Sequence, residues 1–185
     1  RLAAIDVEND PSSFSALQSG SVAYTFTINQ TTGDVSVTPP NDFVGMMELL
    51  VRVAPGTSSN TSDPFDSQLA MIEVAPATGD AVDLLAASDT GFSSTDNITN
   101  ADSLQFRVSG VQDGAIVRIS AGSTALGSAT ASGTEVVITT TDLTALGDGT
   151  YEITATQEIS GIESDPFGNM NVTIDKTPPG PFDST

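Results

Sequence analysis

The chain has 185 residues, 38% of them hydrophobic and 16% charged, and its 24 acidic residues against 5 basic ones give a net charge of −19 at pH 7. Such a surface has no basic stripe to neutralise phosphates, which excludes nucleic acid and anionic lipid headgroups as partners. The absence of Cys and His removes disulfides, the usual zinc ligand sets and His-dependent triads, and no apolar run approaches the ~20 residues of a membrane helix.

The chain starts at Arg1 without a visible signal peptide, which reads as a piece of a longer polypeptide. Arg1 to Asp6 is a short apolar stretch, expected to be the end of a strand, and Val7 to Pro11 is expected to turn because Pro11 disfavours helix at Asp10. From Ala23 to Asn29 the residues Tyr24, Phe26 and Ile28 alternate with Thr25 and Thr27, the period of a half-buried strand. Gln30 to Gly33 is a turn, Asp34 to Thr38 returns as the partner strand through Val35 and Val37, and Pro39-Pro40 stops it. Met46 to Ala54 alternates Met47, Leu49, Val51 and Val53 with Glu48, Leu50 and Arg52. A polar loop from Pro55 to Asp66 follows, and Leu69 to Ala75 places Ala70, Ile72 and Val74 on one face.

The run Phe26-Thr27-Ile28-Asn29-Gln30-Thr31-Thr32-Gly33-Asp34-Val35-Ser36-Val37, with the Pro-Pro-x-x-Phe-x-Gly that follows it, resembles bacterial cadherin-like domains. The resemblance covers about the first 76 residues and implies a β-sandwich. The Asp-x-Asp and Leu-Asp-Arg-Glu calcium motifs of true cadherins are missing, so interdomain calcium is not carried over to Asp6, Glu8, Asn9 or Asp10.

In the second half, strands are expected over Val82–Ala86, Ser103–Val108, Ala115–Ser120, Ala125–Ala131, Glu135–Thr139, around Tyr151, Ile153 and Ala155, and around Val172 and Ile174. Seven short strands in roughly 100 residues, with turn signals between them, are the pattern of an Ig-like sandwich. Leu143-x-x-Leu146-Gly147-Asp148-Gly149-Thr150-Tyr151 has the form of a tyrosine corner.

Between the first two of these strands lies Ser88 to Asn100, short of apolar residues and dense in side-chain oxygens. Ca²⁺ takes roughly 6–8 oxygen ligands, and this loop offers Asp89, Asp96, Asn97 and several carbonyls. The plainer expectation is a turn-rich loop whose Asp and Asn side chains bond their own backbone. The loop, the tyrosine corner and the closing Val172-Thr173-Ile174-Asp175-x-Thr177-x-Pro179 together resemble the bacterial Ig-like repeats of giant surface adhesins, over about Asp83 to Pro179. That resemblance implies Ca²⁺ ligands at Asp89, Asp96 and Asn97. Where such repeats carry Asp-x-Ala-Gly-Asn, this chain reads Glu158 to Asp165, so a second site there would need Glu158 or Glu163. Asp80, Asp83 and Asp102 read as solvated surface carboxylates.

Ser62-Asp63-Pro64-Phe65 recurs as Ser164-Asp165-Pro166-Phe167, ahead of the last strand of each half, and reads as a shared turn. Phe92, Phe167 and Phe182 fall in loops, where Phe more often caps a core than serves a sugar platform, and the chain has no Trp and two Tyr. The single lysine, Lys176, makes a Lys–Asn isopeptide bond within either core improbable. No nucleophile–base pair or cofactor motif favours catalysis.

The expectation is an all-β chain of two tandem Greek-key β-sandwich domains: residues 1–76 cadherin-like, a linker at 77–80, residues 81–179 Ig-like, and a linker at 180–185. The expected role is non-enzymatic, a spacer in a large exported bacterial surface protein that supports cell adhesion at the cell surface. A Ca²⁺ ion in the loop nearest the junction would fix the angle between the halves. Expected partners are neighbouring domains of the same chain and a cell-surface or glycan ligand, with no nucleic acid, no membrane insertion and a monomeric chain. The alternative expectation is an accessory glycan-binding module of a secreted polysaccharide-active enzyme.

Overall fold

A computed structural model describes residues 12–30, 32–55, 66–140, 143, 146–178 and 180. The expected strand end at 1–6, the turn at 7–11, the first Ser-Asp-Pro-Phe copy, Pro179 and Phe182 lie outside the described residues. Among the described residues there are strands and no helix. The chain divides into two compact units, Arg1–Ala75 and Pro76–Thr185.

In the first unit, β1 (Ser12–Ser19), β4 (Gly45–Pro55) and β5 (Asp66–Val74) form an antiparallel sheet in the order β1-β4-β5. A hairpin of β2 (Thr25–Ile28) and β3 (Val35–Thr38) pairs Phe26 with Val37 and Ile28 with Val35. The period-2 pattern of β4 buries Met47, Leu49 and Val51, and Tyr24, Phe26, Val35, Val37, Ala70, Ile72 and Val74 pack with them. The Tyr24 hydroxyl donates to the Glu48 carbonyl, so its polar end is satisfied beside this core. Strand β1 has no counterpart in the sequence expectations. Its residues Ser-Ser-Phe-Ser-Ala-Leu-Gln-Ser are weak strand formers, and the segment is held as a strand by pairing with β4 from Ser12↔Pro55 to Ser19↔Glu48.

The second unit is a two-sheet sandwich. One sheet is ordered β11-β8-β6, from β6 (Ala81–Leu84), β8 (Gln105–Ser109) and β11 (Glu135–Thr139). The other is ordered β10-β9-β12-β14-β7, from β7 (Ile98–Thr99), β9 (Ile116–Ala121), β10 (Thr124–Thr130), β12 (Gly149–Ile159) and β14 (Phe167–Ile174), with β13 (Ile162–Glu163) paired to β12. All of these pairs are antiparallel apart from β7 with β14, which is parallel. Inward residues of both sheets, among them Leu104, Phe106, Val108, Val117, Ile119, Ile138, Ile153 and Ile174, make one core. Each fully buried Leu, Ile or Phe there stabilises the fold by about 1.5–3 kcal/mol relative to exposure.

Two short strands depart from the expectations. The two residues of β7 sit inside the polar loop and exist by pairing with β14, Thr173↔Ile98 and Ile174↔Thr99. Strand β13 turns back on β12 through Ser160 (φ 53°) and Gly161 (φ 80°), the two positive-φ residues of a tight hairpin. Phe167 is the first residue of β14 and is buried. A Cβ on Gly79 would stand 2.3 Å from the Phe167 ring and 2.9 Å from the Ser109 carbonyl, so only glycine lets the incoming segment lie this close.

Candidate functional site

The loop Ser88–Asn100 is folded tightly on itself at its base. The amides of Ser88 and Asp89 donate to the Leu85 carbonyl at 2.7 and 3.1 Å, which turns the chain at the end of β6. Ser88 Oγ accepts from the Gln105 amide at 2.8 Å, anchoring the turn to β8. Across the loop, Thr99 Oγ1 donates to the Ser88 carbonyl at 2.7 Å and accepts from the Ala101 amide at 3.1 Å. Thr90 Oγ1 lies 3.0 Å from Thr99 Oγ1, donates to Asn100 Oδ1 at 2.7 Å and accepts from the Asn100 amide at 3.1 Å. Ser88, Asp89 and Thr99 are 4%, 3% and 1% exposed, so the Thr99–Ser88 rung is buried, where a satisfied bond counts most, while the Thr90–Asn100 rung lies at the surface.

The three residues expected as metal ligands fall in different places on this frame. Asp89 is buried, and its Oδ2 accepts from the Asn97 amide at 3.1 Å. Its Oδ1 is buried without a hydrogen-bond partner. Asp96 is exposed, and its Oδ1 accepts from the Ile98 amide at 3.1 Å, a bond of the Asp side chain to its own turn. Asn97 has φ 59°, a left-handed conformation that Asn tolerates, and this presents its N–H to Asp89. Among the described residues no group of three or more acidic side chains is gathered as a metal would require. A cation here would take Asp89 Oδ1 as its one buried charged oxygen and draw its other ligands from Asp96, the Asn97 side chain, carbonyls and water. These are oxygen donors, the ligand type that hard cations such as Ca²⁺ take. The loop tip carries Phe92, which is fully exposed.

Glu158, Glu163 and Asp102 have side-chain partners. Arg118 Nη1 lies 2.6 Å from Glu158 and 3.8 Å from Glu163, and Glu163 also accepts from Thr156 Oγ1 at 2.6 Å. A guanidinium therefore occupies the place where a second cation would need these two side chains. Asp102 pairs with Lys176 at 2.8 Å.

The two ends of the sandwich are moored by side chains. Gln157 is 2% exposed: its Oε1 accepts from the Gln112 amide at 2.8 Å, and its Nε2 donates to the Ala77 carbonyl at 2.6 Å. At the far end, Asp148 Oδ1 accepts from the Lys176 amide at 2.8 Å, and its Oδ2 accepts from the Thr177 hydroxyl. The Thr177 hydroxyl first, then the Lys176 amide, hold the Asp148 carboxyl below its ordinary value of 3.8. The Tyr151 hydroxyl donates to the Gly147 carbonyl at 3.0 Å, closing the expected tyrosine corner. Sequence reasoning did not single out Gln157. Its only signal is its place after Ile153 and Ala155 on the inward-facing parity of β12.

Two facing sheets, a tyrosine corner and strands crossing between sheets define an Ig-like β-sandwich module. The family model described as bacterial Ig-like domain matches residues 76–176, and the chain belongs to that family. A search of curated proteins found no match. No helix among the described residues is long and apolar enough to cross a membrane.

Proposed function

We propose that the chain is a structural spacer in an exported bacterial surface protein, in which a cadherin-like module (1–76) precedes the Ig-like module (81–179) and supports adhesion by carrying other domains outward. Supporting this reading, several polar groups of the Ig-like unit hold the fold: Gln157 at the incoming end, Asp148 at the outgoing end, and Glu158 and Glu163 on Arg118. A shallow depression in the first unit, lined by Ala23, Tyr24, Thr25, Thr38, Pro39 and Pro40, contains no carboxylate or cationic side chain to carry chemistry.

We further propose that the Ser88–Asn100 loop binds Ca²⁺. The observation that carries this is Asp89 Oδ1, a carboxylate oxygen that is buried without a partner. Leaving a buried carboxylate oxygen without a partner is costly, and a bound cation would offset that cost. The ion would supply no reaction, only cohesion of the loop, and would stabilise the folded module by about 2.7 kcal/mol at a hundred times its dissociation constant. Thermal melting of the full chain tests this: the melting temperature of the Ig-like unit rises with millimolar Ca²⁺ and falls with chelator. Asp89→Ala combined with Asp96→Ala abolishes the response. An identical melt of the wild type with Ca²⁺ and with chelator refutes calcium binding.

A further inference from the structure

We propose that β5 is a docking edge for a second copy of this chain, the two β5 strands pairing antiparallel about Ala70, in place of the monomer expected from the sequence. Among the described residues β5 (Asp66–Val74) pairs on one side alone, with β4, and so ends the β1-β4-β5 sheet. Such an edge presents a row of unpaired backbone groups, and proteins blunt it with short strands, Pro, Lys or bulges. The other edges show measures of this kind. Strands β2, β3 and β6 have four residues each, β11 has five and β7 two. Strand β10 is broken by a register shift between Ala125 and Gly127, and the Phe14 amide of β1 donates to the Gln30 carbonyl at 3.1 Å. By contrast β5 runs nine residues in unbroken register with β4, without Pro or Lys.

Its side chains are as open as its backbone. Leu69 and Met71 face outward, 47% and 52% exposed. The inward Ala70, Ile72 and Val74 pack on the core of the unit and yet stay half-buried. Leu69 also ends an apolar row that crosses the sheet, Leu17–Leu50–Leu69.

The register names the occupant. Centring a two-fold pair on Ala70 engages all nine residues of the strand. Leu69 then stands opposite Met71 of the second copy, and Met71 opposite its Leu69, so the apolar row continues across the joint. The two carboxylates stay apart: Asp66 meets Val74 and Glu73 meets Ser67. Like charges set directly opposite would be destabilising. Centring on Met71 instead shortens the pairing and sets Leu69 against Glu73. The edge is about 31 Å long by the ~10 Å depth of one sheet layer, which buries less than the roughly 1,200 Å² in total of a stable complex. The pair is therefore weak one at a time. It suits a chain displayed in many copies, where each contact after the first forms at high effective concentration. The pairing itself does not depend on the spacer reading.

Sedimentation equilibrium of the full chain, in chelator so that no cation bridges two copies, tests the dimer. The mass rises from 18.9 kDa toward twice that value between ~10 µM and ~1 mM chain. Because each copy carries a net charge of −19, added salt strengthens the association. A mass of 18.9 kDa at every concentration, or association that weakens with salt, overturns the proposal.

The chain has no Cys, so single introduced thiols locate the contact. Ala70→Cys sets two thiols directly opposite, on Cα atoms about 4.5–5.5 Å apart, within disulfide reach. Gln68→Cys, exposed on the same strand, lies about 13 Å from its counterpart in this register, beyond that reach. Oxidative dimerisation is at least roughly tenfold faster for Ala70→Cys than for Gln68→Cys, a gap that only a held register produces. Equal rates mark random collision and overturn the pairing. Leu69→Thr combined with Met71→Thr keeps good strand formers and removes the apolar contact, which raises the dimer dissociation constant at least roughly tenfold. An unchanged constant places the contact elsewhere and overturns the proposal.

Discussion

Replacing Gln157 tests how the Ig-like unit holds its incoming segment. Gln157→Ala removes a side chain that is 2% exposed and two hydrogen bonds of 2.8 and 2.6 Å. The Gln112 amide is left without its acceptor in a half-buried position, which costs about 1–3 kcal/mol. Ala77 is exposed, so water replaces the lost donor to its carbonyl and little is added there. The emptied volume adds a cavity term, and the whole comes to about 2–4 kcal/mol. For a unit of this size that lowers the melting temperature by about 10–25 °C. Urea denaturation of the full chain measures the free energy, and amide hydrogen exchange at Gln112 reports the local loss. The companion variant Gln157→Glu keeps the shape and the acceptor but loses the donor to Ala77. Its buried carboxyl binds a proton more tightly folded than unfolded, so its stability deficit shrinks as the pH falls, since the protonated acid again donates. A loss below about 0.5 kcal/mol for Gln157→Ala, with Gln112 still protected, refutes the mooring, because one net hydrogen bond alone is worth about that much or more.

Two smaller perturbations follow from the same end-to-end design. Tyr151→Phe keeps the ring and deletes the hydroxyl bond to Gly147, so denaturant unfolding should show a loss of about 0.5–1.5 kcal/mol; no loss removes the corner from the account of stability. The depressed Asp148 carboxyl contributes stabilisation that is complete above its unfolded value near 3.8 and is lost as the pH falls through its lower folded value. Proton titration by nuclear magnetic resonance should place Asp148 below 3.8, and Thr177→Val should move it back toward that value. A titration unchanged by Thr177→Val assigns the shift elsewhere.

Much of the architecture is legible in the residues because strand parity is a local property. Tyr24 to Ile28, Met47 to Val51, Glu135 to Thr139 and Tyr151 to Ala155 carry their buried faces as plain alternation, and each forms a strand. The tyrosine corner is likewise readable from Gly147-Asp148-Gly149-Thr150-Tyr151, since its donor and acceptor are four residues apart. The bacterial Ig-like resemblance rests on such local motifs, and the family match covers the same stretch.

What the tertiary structure alone decided are the features made by residues distant in sequence. Strand β1 is rich in Ser and β7 is only two residues long, and both exist because β4 and β14 offer them unpaired backbone groups. Arg118 comes between Glu158 and Glu163 across forty residues, which turns two candidate metal ligands into partners of a guanidinium. Asp89 and Asp96 look equivalent in the sequence. Folding buries Asp89 against Asn97 and leaves Asp96 exposed on its own turn, because burial depends on which strand the loop closes over. Gln157 shows the same limit: parity says that it points inward, but only the eighty-residue closure onto Ala77 says why a polar side chain belongs there.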